Sequence, residues 1–268
     1  MQNQLVHQNE KSYFAISVVI SVIIYLFLII SIVGIFYIIL GALFSIFFHG
    51  IMMGHIRNNG VKITKQQFGI IYNRVESLSR QMGIREVPDI FVVQSDGMLN
   101  AFATRLLGRN FIVLYSEIFD LIESNAEEEL TFVIAHELAH IQRRHITKHW
   151  LILPAMWIPF LGNAYSRACE YTCDRFAAYY TGNPEAAMNG LTLLAIGKVL
   201  YKKVHRAEYL QQSRSETGFF TWLSHVLSSH PPLPLRILEL ERLTKYPQFY
   251  TYAPLADTAI DAQPVSGI

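Results

Sequence analysis

Polar and apolar positions divide this chain into an unbroken apolar segment and a longer part in which the two alternate. From residue 12 to residue 56 there is no Asp, Glu, Lys or Arg, and Ile, Val, Leu and Phe fill most positions. As one straight helix the run would extend about 67 Å at about 1.5 Å per residue, roughly twice the ~30 Å hydrocarbon core of a bilayer. It therefore predicts two spans, residues 14–33 and 35–53, with a tight turn around Ser31 and Gly34 and with Tyr13, Phe47, Phe48 and His49 as interfacial residues. A cleavable signal peptide would be shorter and would carry a basic head, whereas residues 1–11 hold one Lys against one Glu. The segment is read as retained. A hairpin returns both of its ends to one side, and Arg57, Lys62, Lys65, Arg74 and Arg80 follow it closely with only Glu76 opposing. The positive-inside rule then predicts a multi-pass protein of the cell membrane whose remaining residues face the cytosol.

Beyond residue 56 the periods shorten. Thr64 with Gln67 can cap a helix whose apolar stripe is Phe68, Ile71, Val75 and Leu78 and which Gly83 stops. Residues 89–94 read as a strand, Ser95-Asp96-Gly97 as a turn, and residues 99–107 with 111–115 as a hairpin around Gly108-Arg109-Asn110. Helical patterns cover residues 126–149, 164–180, 184–203 and 233–243, with Asn183-Pro184 a good helix start. The expected class is α+β, mostly helical, with a small antiparallel sheet. Its expected divisions are a transmembrane hairpin (12–56), a catalytic domain (57–250) and a loosely held tail (251–268).

Composition sharpens the membrane reading. Hydrophobic residues make up 51% and mean hydropathy is +0.26, values that a soluble globular chain rarely reaches. Net charge is only +1 and no basic run carries interleaved aromatics, so nucleic acid is excluded as a partner. Two cysteines, Cys169 and Cys173, make no disulfide framework and fit a reducing compartment.

The chemistry-bearing motif is His136-Glu137-Leu138-Ala139-His140. Ser124 followed by Glu127 is a capping-box signal, and Glu127, Glu128 and Glu129 place negative charge at the positive end of a helix dipole, so the motif falls on a helix. At about 100° per residue His136 and His140 lie within about 40° of one another and can share one tetrahedral Zn²⁺. Glu137 beside them is placed to take a proton from metal-bound water. A catalytic zinc needs a third protein ligand and an open position. Glu170 is the choice: it sits with Asp174 one turn apart on a helical stretch, the first to bind metal and the second to hold a ligand imidazole. The bland alternative is a surface helix with Arg167 and Arg175 as ion-pair partners. Cys169 and Cys173 read as core packing, since thiolates suit soft metals better than a hydrolytic site. On an ideal helix His145 lies about 180° from His136 and about 140° from His140. It is therefore expected outside the metal site, on a solvated or headgroup face with Arg143, Arg144 and Lys148.

Taken together, Asn100-Ala101-Phe102-Ala103, the HExxH helix, Glu170 with Asp174, and Ser229-His230-Pro231-Pro232 followed by Arg236 resemble the HtpX and CaaX-prenyl-protease family of membrane gluzincin metallopeptidases. The likeness covers roughly residues 64–243. It implies that Asn100, Ala101, Phe102 and Ala103 form a cleft-edge strand that pairs with extended substrate, and that His230 and Arg236 point into the cleft and stabilise the tetrahedral intermediate. Without the family, these segments are an ordinary edge strand and a turn before a solvated helix face. One departure stands out. HtpX proteins carry two further spans between the zinc helix and the glutamate ligand, and only 29 residues separate His140 from Glu170 here. Residues 150–161 are apolar but too short to span and broken by Pro154 and Pro159; they can dip into the interface, roof the cleft or pack on the core.

The sequence thus predicts a membrane-anchored zinc endopeptidase with one Zn²⁺ per chain. Its substrates would be polypeptides, membrane or misfolded proteins in a quality-control role. Rival readings are a CaaX-type processing peptidase, which two spans do not suffice to enclose, and a silent binding module of the same fold. A purely structural ion would be closed by four protein ligands rather than three.

Overall fold

The computed structural model describes residues 2–94, 100–123 and 126–245; the expected Ser95-Asp96-Gly97 turn, the Ser124 cap and the tail from 251 lie outside them. The apolar run folds as two helices, α1 (Gln8–Ile30) and α2 (Ile32–Asn59). Each is long and apolar enough to cross a membrane. The break falls at Ser31, which is extended (φ −90°, ψ 120°) and whose Oγ accepts the Gly34 N–H at 3.3 Å. Gly34 belongs to the first turn of α2 rather than to the bend. A Cβ there would stand 2.2 Å from the Leu28 carbonyl oxygen, so glycine is what lets the two helices close on each other. Along α1 the pattern is inverted relative to a soluble helix: Glu10, Ser17 and Ser21 are buried while Val19, Ile23, Phe27 and Ile30 face outward. Such a surface is of the kind that lipid covers.

Helix α1 begins before the expected 14–33 span and stops short of its end, at Ile30, while α2 runs past residue 53 to Asn59; the start of α1 and the end of α2 both reach the body. The His7 N–H donates to Thr172 Oγ1 at 3.0 Å and its ring stacks on Tyr171, while Met53 and Ile56 of α2 pack with Phe91, Phe111 and Val113 of the sheet.

The sheet comprises β1 (Val61–Ile63), β2 (Asp89–Val93), β3 (Ala101–Leu106) and β4 (Arg109–Tyr115) in the order β1-β2-β4-β3. The expectation of an antiparallel sheet is corrected here: β2 and β4 are parallel, in register from Asp89↔Phe111 to Val93↔Tyr115, and only β1/β2 and β3/β4 are antiparallel. The reason lies in β4, whose Phe111–Leu114 run is buried on both faces, two residues in each of two core clusters. A strand apolar on both faces takes an interior place with a parallel neighbour. That leaves β3, only half-buried, at the edge.

The helix α3 (Gly69–Gln81) buries Ile71, Val75 and Leu78, but Phe68 stands outside it in the left-handed region (φ 60°), and Thr64 with Gln67 closes a separate turn before it. Next come α4 (Glu127–Gln142), α5 (His145–Leu151), α6 (Leu153–Met156), α7 (Leu161–Thr181), α8 (Pro184–Ile196), α9 (Arg206–Ser215), α10 (Phe219–Leu227) and α11 (Leu233–Thr244). The single helix expected over 126–149 is two helices. The Arg143 and Arg144 N–H groups close the end of α4, and Arg144 turns left-handed (φ 56°). A non-glycine residue there is uncommon and costs about 1–2 kcal/mol; the turn reverses the chain so that His145 enters the core. Helix α8 stops at Gly197 (φ 80°), not at residue 203, and α9 and α10 were not foreseen.

Candidate metal centre

The site forms where α4 packs across α7 beside the free edge of β3. Helix α4 is apolar on nearly every side, so His136 and Glu137 are buried although charged or polar. His136 Nε2 and His140 Nε2 stand 3.2 Å apart. Glu170 completes the triangle, with Oε2 3.5 Å from His136 Nε2 and Oε1 3.3 Å from His140 Nε2. Ligand atoms bound at about 2.0–2.2 Å in a tetrahedron are about 3.3–3.6 Å apart, so these separations are close to those that three ligands of one ion would have. The chemistry of the set agrees. Burial opposes a charged His136, yet Asp174 and Glu170 outweigh it and raise that imidazole to about 10. The pocket calls for positive charge at its centre.

Behind these atoms lies a shell that fixes them. Asp174 Oδ1 is 3.0 Å from His136 Nδ1, the nitrogen turned away from the triangle. Asp174 also accepts from Arg236 Nε and Nη2, both at 2.7 Å, and Arg236 Nη1 lies 3.0 Å from Glu170 Oε2. All three side chains are buried. Arg236 lines the cleft, and its fork is engaged by the two carboxylates of Asp174 and Glu170. The exposed His230 differs: its Nδ1 is 3.2 Å from Glu170 Oε2 and the rest of its ring is open to the cleft.

Beside His140, His145 overturns its expected placement. The break at Arg144 carries it back beside His140, with Nδ1 to Nδ1 3.2 Å, and it is fully buried. Its Nε2 lies 3.3 Å from Glu10 Oε1, and Glu10 also accepts from Arg143 Nη2 at 2.9 Å. Burial pushes the His145 imidazole down to about 3, so it is neutral. A neutral ring can accept from His140 Nδ1–H, which leaves His140 Nε2 as the bare nitrogen facing the triangle. The sequence reading missed both residues. The signal available was a lone carboxylate, Glu10, at the head of an apolar helix.

His136, His140 and Cys173 also bring donor atoms within 4.8 Å. Of these only Cys173 is absent from the lining of the cleft; it is fully buried, and burial holds its thiol well above its usual range. Cys169 and Cys173 are free and buried.

A cleft of about 220 Å³ opens over the triangle, lined by residues 100–103, Phe132, Val133, Glu137, Leu194, His230 and Arg236 among others. Glu137 points into it. Burial raises its carboxyl above the ordinary carboxylate range, opposed by His136 and His140, and it accepts a hydrogen bond from the Ala103 backbone. The Asn100 carbonyl accepts from Tyr115 N–H, so by strand alternation the backbone groups of Ala101 and Ala103 point to the free edge. Asn100 Oδ1 covers the Ala101 N–H at 2.9 Å, and further along His49 Nε2 of α2 meets the Arg105 carbonyl at 3.1 Å. The pairing edge is therefore short and ends at the membrane helix.

With this geometry in hand, the profile of peptidase family M48 matches residues 65–158 and 147–244. The chain is 44% identical over 82 residues to a protease HtpX homolog of Halobacterium salinarum, covering 31% of this chain and 27% of the relative. It is 25% identical over 221 residues to the plastoglobule-localized metallopeptidase 48 of Arabidopsis thaliana, covering 74% and 63%. A protease HtpX homolog of Streptococcus pyogenes is 24% identical over 238 residues, covering 69% and 77%. The chain thus spans less than two thirds of the length of the first two. No solved structure matches it.

Proposed function

The chain belongs to peptidase family M48, and on that premise we propose that it is a membrane-anchored zinc endopeptidase that cleaves extended polypeptides at the bilayer surface. The observation that carries the proposal is the triangle of His136, His140 and Glu170, three donors at tetrahedral spacing with a cleft on the fourth side. When bound there, Zn²⁺ supplies Lewis-acid polarisation of the scissile carbonyl and lowers the pKa of water.

This chain's residues do the rest. The edge of β3 receives the substrate backbone as an added strand through the carbonyls of Ala101 and Ala103, whose N–H groups are already taken by Asn100 and Glu137. Glu137 is the general base: it takes the proton of the attacking water and returns it to the leaving nitrogen, work suited to a carboxyl whose pKa has been raised. His230, exposed at the cleft rim, donates to the developing oxyanion. Asp174 and Arg236 hold His136 and Glu170; Glu10 and His145 hold His140. The hairpin makes the protein multi-pass with its catalytic body in the cytosol, a reading supported by the cations that follow α2. The substrates, in this reading, are membrane or misfolded proteins.

Purified protein should hold one zinc per chain. Chelation should abolish cleavage of an unfolded polypeptide, and zinc should restore it; activity that persists at zero measured metal would sink the proposal. Glu10→Gln should weaken zinc about 10–100-fold, the usual effect of losing an outer-shell partner, read by competition with a chromophoric chelator. Unchanged affinity would remove Glu10 from the metal's support.

A further inference from the structure

We infer that residues 150–161 together with α10 form a shoulder that enters the bilayer beside the hairpin, from the side that carries the catalytic body, seating that body in lipid beyond its two spans. The inference rests on the reading of α1 and α2 as spans. Its first observation is depth. Helices α1 and α7 run side by side in opposite directions, with His7 stacked on Tyr171 and Phe14 tilted against Tyr165. Farther up, Ser21 Oγ accepts the Ala155 N–H at 3.2 Å in a buried contact. Ser21 is nine residues from the end of α1 at Ile30, about 14 Å along the helix axis. That is near the middle of a ~30 Å hydrocarbon core. Helix α6 is therefore carried to membrane depth by a specific hydrogen bond.

The second observation is chemical. Non-helical backbone at such a depth is tolerated only where protein satisfies its polar groups. Ser21, inward-facing on a lipid-facing helix, does this for the start of α6. The outer surface is correspondingly bare of charge: there is no Asp, Glu, Lys or Arg in residues 150–166 or in 217–235.

The third observation is continuity. Trp157 is 82% exposed and Phe220 80%, and between them Phe160 packs on Trp222, which in turn packs on Phe219. With Leu151 these side chains make one apolar face adjoining the hairpin. Helix α10 has no buried residue at all; its polar ties among the described residues are at its C-terminal end, where Arg167 Nη1 donates to the carbonyls of His225, Val226 and Ser228 and Asn163 Nδ2 donates to that of Leu227. A short helix tethered by polar bonds at one end and apolar at the other has the form of an interfacial anchor. Its C-terminal residues lead to His230, so the shoulder also sets the height of the cleft above the lipid.

The chain's three tryptophans, Trp150, Trp157 and Trp222, all lie on this shoulder, which makes the test direct. Full-length protein in phosphatidylcholine vesicles would be prepared with a single tryptophan, Trp157 or Trp222, the other two replaced by Phe. A third variant, Phe27→Trp in a background lacking all three, reports the hairpin. Brominated acyl chains should quench Trp157 and Trp222 as well as the Phe27→Trp reporter, while aqueous iodide should leave them unquenched. Quenching of the hairpin reporter with Trp157 and Trp222 open to iodide overturns the shoulder and leaves the spans standing. Protection of Trp157 and Trp222 from both quenchers, varying with protein density, would mean that a second copy covers the face and would equally overturn it. If no position is quenched by lipid, the hairpin reading fails and the shoulder with it.

Discussion

Glu137→Gln should keep zinc at one per chain and lower kcat by about 10²–10⁴-fold, the range that a positioned general base supplies, with little change in KM. The variant is chosen because it removes one property only. Glutamine keeps the length of the side chain, and its amide oxygen can still accept the hydrogen bond that Ala103 gives to Glu137. Glu137 is not one of the three donors that face each other across the triangle, so metal content should not respond. What glutamine cannot do is receive a proton. If Glu137 instead served packing, the variant would lower thermal stability and activity together, and zinc content would follow. Metal analysis, a melting curve and steady-state cleavage of an unfolded polypeptide on one preparation separate the two. Near wild-type turnover would end the role assigned to this carboxylate.

The convergence of His136, His140 and Glu170 was legible because these residues obey local rules. His136 and His140 share a helix face by spacing alone, and the apolar run of 45 residues from Ser12 to Ile56 can be nothing shorter than a pair of helices. Glu170 and Asp174 followed from the same helical periodicity. The failures share a different cause. His145 was placed on the wrong side because the periodicity argument assumed that the helix continued, whereas Arg144 takes a left-handed turn that no Gly or Asn advertises. Glu10 was invisible for a second reason: its partners His145, Arg143 and Lys148 are more than 130 positions away, and nothing local announces such a contact. The parallel pairing of β2 with β4 was missed because a hairpin signal describes only its own two strands. Which neighbour the inner strand takes on its far side is decided by burial on both faces, a property of the whole core.

Arg236→Leu should destabilise the metal-free protein by about 3–5 kcal/mol, the penalty for breaking a buried ion pair from one side. The guanidinium faces Asp174 through two nitrogens and Glu170 through the third, and Leu would leave two buried carboxylates within reach of each other. Both are held below the ordinary carboxylate range against a burial that pushes them up, with Arg236 the largest opposing cause. Zinc should therefore rescue more of the stability in the variant than in the wild type, because the ion becomes the main remaining cation facing Glu170 and, through His136, Asp174. Arg236→Lys should fall between: it keeps the charge but cannot reproduce the fork that engages both acids. Melting in detergent with chelator and with saturating zinc gives the two differences to compare. A side chain that acted only on the oxyanion would give another pattern, with kcat lowered and the metal-free melting temperature unmoved. That pattern would return Arg236 from a holding residue to one that meets the substrate.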